Sequence, residues 1–199
     1  MKVEIEDVLF WMDAIRNSDD KFRTLESFWK GQIRSKVWLV ETLETFALPS
    51  KNKIVIHGGW NGVLASLLFN SKINIESIVS VDIDPTCEEI ARTINKRQEI
   101  EGRFEAVTAD MCDYDYKADI VINTSCEHLT QEQYNKWLKK LPHFATVVIQ
   151  SNNYFEHEEH VRCATDIIDF IKMSDVAPYF AETFETPKYE RYMIVGKHH

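Results

Sequence analysis

The chain has 199 residues, 44% hydrophobic and 28% charged, which is ordinary for one soluble domain with a substantial core. No apolar run reaches membrane-spanning length, the acidic start MKVEIEDVLF is no signal peptide, and a net charge of −9 gives no general pull toward a phosphate backbone. A cytoplasmic protein without membrane attachment is expected, and its four scattered cysteines (Cys87, Cys112, Cys126, Cys163) form no CxxC pair and read as reduced thiols.

Residues 1–48 are helical in pattern. Val8, Leu9, Trp11, Met12 and Ile15 recur at helical spacing. A longer segment, 22–48, carries Leu25, Phe28, Trp29, Ile33, Val37, Trp38, Val40, Leu43 and Phe46 before Pro49 ends it. Strand and helix patterns then alternate. The β-rich runs are 53–57, 77–82, 104–108, 119–123 and 145–150, with helical patterns at 62–69, 85–97 and 130–141. Asp84-Pro85 reads as an N-cap followed by proline at the first helical position, and Thr130 with Gln133 as a capping box. Near-continuously apolar strands alternating with helices predict a parallel sheet covered on both faces. After a helix near 157–173, two runs at 179–184 and 189–195 flank a short turn, which predicts an antiparallel hairpin. The expected architecture is a single α/β domain over 1–199, with a helical N-terminal cap over 1–48 and a core over 49–199.

The first strand runs into Gly58-Gly59-Trp60-Asn61-Gly62. A strand-to-helix turn stripped of side chains lets backbone N–H groups approach a ligand closely. The spacing does not fit the GxGxxG of a dinucleotide site. Asp82 ends the second strand some twenty residues on, where a carboxylate can accept both ribose hydroxyls of a nucleoside; Ile83 follows it. Asp110, after the third strand, is placed to accept an adenine amine, with Met111 packing on the ring.

With these residues, the region from about 53 to 197 resembles the class I S-adenosylmethionine-dependent methyltransferases. The resemblance implies a Rossmann-like seven-stranded sheet, a parallel core closed by a C-terminal antiparallel hairpin. It implies S-adenosyl-L-methionine as cofactor, with the turn Gly58, Gly59, Trp60 and Gly62 under its methionine portion, Asp82 at the ribose, Asp110 and Met111 at the adenine, and Ile83 among the cofactor-binding residues. Trp60 stands where the family's GxGxG has its central glycine, and Ile56-His57 stand where an acid usually precedes the turn. One of Gln32, Arg34 and Lys36, with Lys36 preferred, is then expected to pair with the cofactor carboxylate.

Strands four and five end in polar runs, NTSCEHL and QSNNYFEHEEH. Asn123 is expected at both cofactor and acceptor, and Glu127 or His128 as the base where the nucleophile carries a proton. NTSC lacks the Asn/Asp-Pro-Pro-aromatic pattern of amino-methylating members, and Cys126 has no companion signal for a covalent role. In EHEEHVRC, His157 and His160 are spaced i, i+3 rather than the i, i+4 of zinc proteases, so the segment is read as a charged helical first turn and no metal is assigned. The aromatics Phe28, Trp29 and Trp38 are expected either to form a lid over the cofactor edge or to bury themselves in a homodimer through the N-terminal helices.

The function expected is methyl transfer from S-adenosylmethionine to an unidentified acceptor, a small molecule rather than a nucleic acid. The alternatives are cleavage of the cofactor or transfer of its aminocarboxypropyl chain, and a non-catalytic S-adenosylmethionine-binding protein.

Overall fold

A computed structural model describes residues 2–198, and its backbone contacts divide at Asp110–Met111 into two units. Among the described residues the strands form one seven-stranded sheet in the order β3-β2-β1-β4-β5-β7-β6.

The first unit opens with α1 (Ile5–Asn17), α2 (Lys21–Glu26) and α3 (Lys30–Leu43). It continues with β1 (Asn52–His57), α4 (Val63–Phe69), β2 (Ile75–Asp82), α5 (Glu88–Ile94), α6 (Lys96–Ile100) and β3 (Phe104–Thr108). β1 pairs with β2 and β2 with β3, both parallel. Five of the six β1 residues and all of Val63–Leu68 on α4 are buried, the signature of a strand and helix enclosed on every side. The β boundaries match the expected runs within two residues.

The long helix expected over 22–48 is instead two helices. Ser27 Oγ donates to the Thr24 carbonyl at 2.7 Å, and Trp29 is extended (φ −58°, ψ 146°), so the chain turns before α3 begins. Both fragments keep apolar residues at helical spacing, which hid the break. Phe28 swings onto Trp11, with ring centroids 5.6 Å apart. α1 packs on α5 and is tied to α4 by Trp11 Nε1 donating to Ser66 Oγ at 3.0 Å. Its buried Asp7 accepts from Asn70 Nδ2 (2.7 Å) and Arg97 Nη2 (2.9 Å), so the N-terminal helices are built into this unit's helical layer.

The helix expected over 85–97 also starts later and breaks. Asp84 accepts from the Thr86 N–H at 2.9 Å in a local turn, α5 begins at Glu88, and Asn95 interrupts the run before α6. The Asp84 side chain therefore closes a turn rather than capping α5.

The second unit contains β4 (Ile120–Asn123), a 3-10 turn (Cys126–His128), α7 (Gln131–Leu138), β5 (Thr146–Asn152), α8 (Ile167–Ser174), β6 (Ala177–Glu185) and β7 (Glu190–Lys197). β4 and β5 are parallel, whereas β7 runs antiparallel to both β5 and β6, as the hairpin pattern required. The Thr130–Gln133 capping box is present at α7. Tyr134, Trp137, Phe170 and Tyr192 fill this core.

The helix expected from residue 157 begins only at Ile167, capped by Asp166, whose carboxylate accepts the Asp169 N–H at 2.8 Å. Residues 153–166 form a loop. Buried Arg162 pins it, with its guanidinium 3.8 Å from the Tyr134 ring centroid and bonds to Gln131 Oε1 (2.7 Å) and the Met173 carbonyl (2.6 Å). No described helix is long and apolar enough to cross a membrane.

Candidate functional site

In the first unit the glycine turn leaves β1 at the carboxyl end of the parallel strands, where open α/β sheets bind ligands. Gly58 (φ 64°) and Gly62 (φ 74°) adopt the left-handed backbone that favours glycine, and Trp60 between them does so too, at φ 47°. Gly59 is required for a different reason. A Cβ there would fall on the buried Ser80 hydroxyl, so β2 passes too close for any side chain. The turn is stitched by Gly59 N–H to the Val81 carbonyl (3.1 Å) and Gly62 N–H to the Gly59 carbonyl (3.0 Å).

Asp82 orders this turn. One carboxylate oxygen accepts the Trp60 N–H at 2.7 Å and the other the Asp84 N–H at 3.0 Å. Each oxygen has a second lone pair, so the fixed carboxylate can still accept from a ligand hydroxyl. Beside it lies a shallow depression lined by Trp60, Ser80, Asp82, Asp84, Glu88 and Thr108 among others. The Lys36 ammonium sits 6.0 Å from the centroid of the half-buried Trp60 ring and donates to Gln32 Oε1 at 2.7 Å. Of the three helix residues named from sequence, Gln32 and Lys36 are thus joined to each other beside the turn, while Arg34 is exposed. Ile83 is 70% exposed and Asp110 is exposed. His57 is buried, and desolvation lowers its pKa to about 3, so the ring is neutral. Trp29 is 72% exposed.

Arg23 on α2 carried no sequence signal. Its guanidinium binds Asp84 Oδ2 (2.5 Å) and Thr86 Oγ1 (2.7 Å), fastening α2 to the loop after β2. Hydrogen bonds from Thr86, with Arg23 adding to them, hold the Asp84 carboxyl below its ordinary range. Burial pushes the Cys87 thiol up to about 12.

In the second unit, Asn123 is buried at the end of β4. Its Oδ1 accepts the Ser125 N–H at 2.9 Å and its amide lies 3.4 Å from Met111 Sδ, so it braces the loop that carries the next residues. Glu127 is 3% exposed. Its Oε1 accepts from Asn152 Nδ2 (2.8 Å) on β5 and from Arg191 Nη1 (3.3 Å) on β7, and Arg191 Nη2 also reaches the Thr124 carbonyl (2.6 Å). Arg191 was invisible in the sequence because only β7's antiparallel register beside β5 sets Arg191 opposite Asn152.

His128 is exposed and meets His160 edge-on, with centroids 4.8 Å apart. Tyr154 lies 5.9 Å from His160 and stacks on Tyr189 at 5.3 Å. Burial lowers the His160 pKa. Cys126 is fully buried and pushed up to about 12 by desolvation, which removes it as a thiolate nucleophile.

No protein-family model matches the sequence, and no curated protein matches it. Solved structures do. Magnesium protoporphyrin IX methyltransferase (ChlM) from Synechocystis PCC 6803, with SAH bound, superposes with TM-score 0.68 at 13% identity, over 98% of this chain and 95% of that one. The N-methyltransferase NodS from Bradyrhizobium japonicum WM9 gives 0.64 at 11% identity over 84% and 96%. MtNAS, solved also with S-adenosylmethionine, gives 0.64 at 13% over 97% and 70%. At these identities the likeness establishes architecture, and the parallel strands and the terminal hairpin agree with it. The chain has the fold of the class I S-adenosylmethionine-dependent methyltransferases.

Proposed function

We propose that the protein binds S-adenosyl-L-methionine and transfers its methyl group to a small-molecule acceptor. The observation that carries this is the Asp82 carboxylate, locked by the Trp60 and Asp84 N–H groups at the lip of the glycine turn. A carboxylate so fixed needs no reorganisation to accept ribose hydroxyls. Lys36, beside the Trp60 indole, is the cation for the amino-acid carboxylate. Asp110, Ile83 and Met111 are assigned to the adenosine. Methyl transfer is an in-line displacement: the acceptor lone pair forms the new bond to carbon as the sulfonium bond breaks, leaving S-adenosylhomocysteine. Positioning then contributes most of the rate. Asn123, Glu127 and His128 are assigned to the acceptor side.

Calorimetry with S-adenosylmethionine and S-adenosylhomocysteine, with NAD as control, tests the cofactor. Asp82→Asn should weaken both sulfur ligands by about 10–100-fold, the size of a hydrogen bond to a charged group, while the chain still melts cooperatively. Equal affinity in the variant, or binding of NAD alone, rejects the assignment.

A second use of the same cofactor is supported by the likeness to MtNAS, which has been solved with MTA and tNA, and by the indole standing at the centre of the turn. Aminocarboxypropyl transfer leaves methylthioadenosine, whereas methyl transfer leaves S-adenosylhomocysteine. Chromatography of the spent cofactor separates the two. Stoichiometric binding with no turnover of any acceptor offered would favour a non-catalytic binder.

A further inference from the structure

We infer that Glu127, His128 and His160 form a binding site for a divalent zinc-type metal ion. Their ligand atoms all lie within 4.8 Å of one another, although the residues come from separate segments, the turn after β4 and the loop after β5. The loop is held there by the backbone. Val161 and Arg162 N–H both donate to the Glu127 carbonyl, at 2.9 and 3.0 Å, which delivers His160 beside the Glu127 side chain.

Two independent features point to a cation. First, Glu127 is 3% exposed, yet only Oε1 is satisfied, by Asn152 and Arg191; its buried Oε2 has no hydrogen-bond partner. Leaving a charged oxygen buried and unpaired is costly, and a metal ion supplies the missing partner. Second, His160 Nδ1 lies 3.0 Å from the Tyr154 carbonyl. A carbonyl only accepts, so Nδ1 carries the proton and Nε2 presents its lone pair. Metal-ligating histidines are oriented in this way by an outer hydrogen bond, and the Asn152 and Arg191 bonds to Oε1 do the same for the carboxylate.

Two imidazoles and one carboxylate select zinc-type ions over calcium or magnesium, which take oxygen donors. Bonds of about 2.0–2.2 Å put tetrahedral ligands roughly 3.3 Å apart. The widest pair must therefore close by rotation of a side chain, for which exposed His128 is the best placed of the three. Three protein ligands leave a position open for water or a substrate heteroatom, the pattern of catalytic zinc sites.

The test is equilibrium dialysis of the full chain against Zn²⁺, with H198A and H199A to remove the terminal histidines, and Co²⁺ absorption as reporter of coordination. One zinc per chain and visible Co²⁺ bands of four- or five-coordinate intensity are expected. His128→Ala and His160→Ala should each weaken Zn²⁺ by at least about tenfold, with Co²⁺ bands lost and thermal melting of the metal-free chains unchanged for exposed His128. His157→Ala, which removes a ring stacked 4.5 Å from His160, should leave affinity within about threefold. Absence of stoichiometric binding, or binding that survives both His128→Ala and His160→Ala, overturns the site. So does binding that depends on His157 and not on His128.

Discussion

Each unit carries one acidic side chain in a key position at its strand ends, and the two are satisfied in opposite ways. Asp82 in the first unit is held by backbone: both oxygens accept main-chain N–H groups, of Trp60 and Asp84. Glu127 in the second is held by side chains of Asn152 and Arg191 on one oxygen, with the other left open. A backbone-held carboxylate tolerates change in its neighbours as long as the turn survives. A side-chain-held one depends on each partner's identity, and it can exchange an open valence for a ligand.

Breaking the side-chain arrangement should have the larger effect. Glu127→Ala strands the Arg191 guanidinium, whose side chain is only 12% exposed, and should cost the metal-free protein about 3–5 kcal/mol in urea unfolding. Gly59→Ala attacks the backbone arrangement, because the added methyl collides with Ser80, and should cost about 1–3 kcal/mol. Ser80→Ala in the same chain should restore most of that loss. No recovery would mean that the turn excludes a side chain at residue 59 for a reason other than the Ser80 hydroxyl.

The pH response should also differ between the units. His57, the first unit's sole histidine, is neutral when folded, with its pKa lowered from 6.5 to about 3 by burial. Above pH 6.5 it is neutral in both states and contributes nothing. Below that, only the unfolded chain takes up the proton, so stability should fall by up to about 1.4 kcal/mol per pH unit down to pH 3. His57→Gln should flatten that slope in urea melts between pH 7 and 4, and an unchanged slope would assign the acid sensitivity elsewhere. The smallest effect is at Lys36→Ala, which removes a cation at the Trp60 ring and should change stability by under about 1 kcal/mol. Its effect on S-adenosylmethionine affinity should be larger if the ammonium meets the ligand carboxylate.

The sheet and its hairpin were legible because strands buried on both faces are written as apolar runs, and β3 was located to the residue. Helix breaks were not. Ser27 and Asn95 interrupt helices through side-chain bonds to carbonyls that leave the apolar spacing intact. The turn and Asp82 could be read locally, since a strand, glycines and an acid at fixed spacing are all near in sequence. Arg191 and His160 could not. They reach Glu127 through the antiparallel register of β7 and through a loop folded back on a carbonyl. EHEEHVRC looked like a helix start because its acids suit a first turn, but two N–H groups in it find the Glu127 oxygen instead.

That single oxygen has a mechanical consequence. Because it accepts from Val161 and Arg162 together, the tip of β4 and the segment leaving β5 cannot shift independently. Any molecule that displaces one must drag or release the other, and the exchange of those two amides with deuterated solvent would register its arrival.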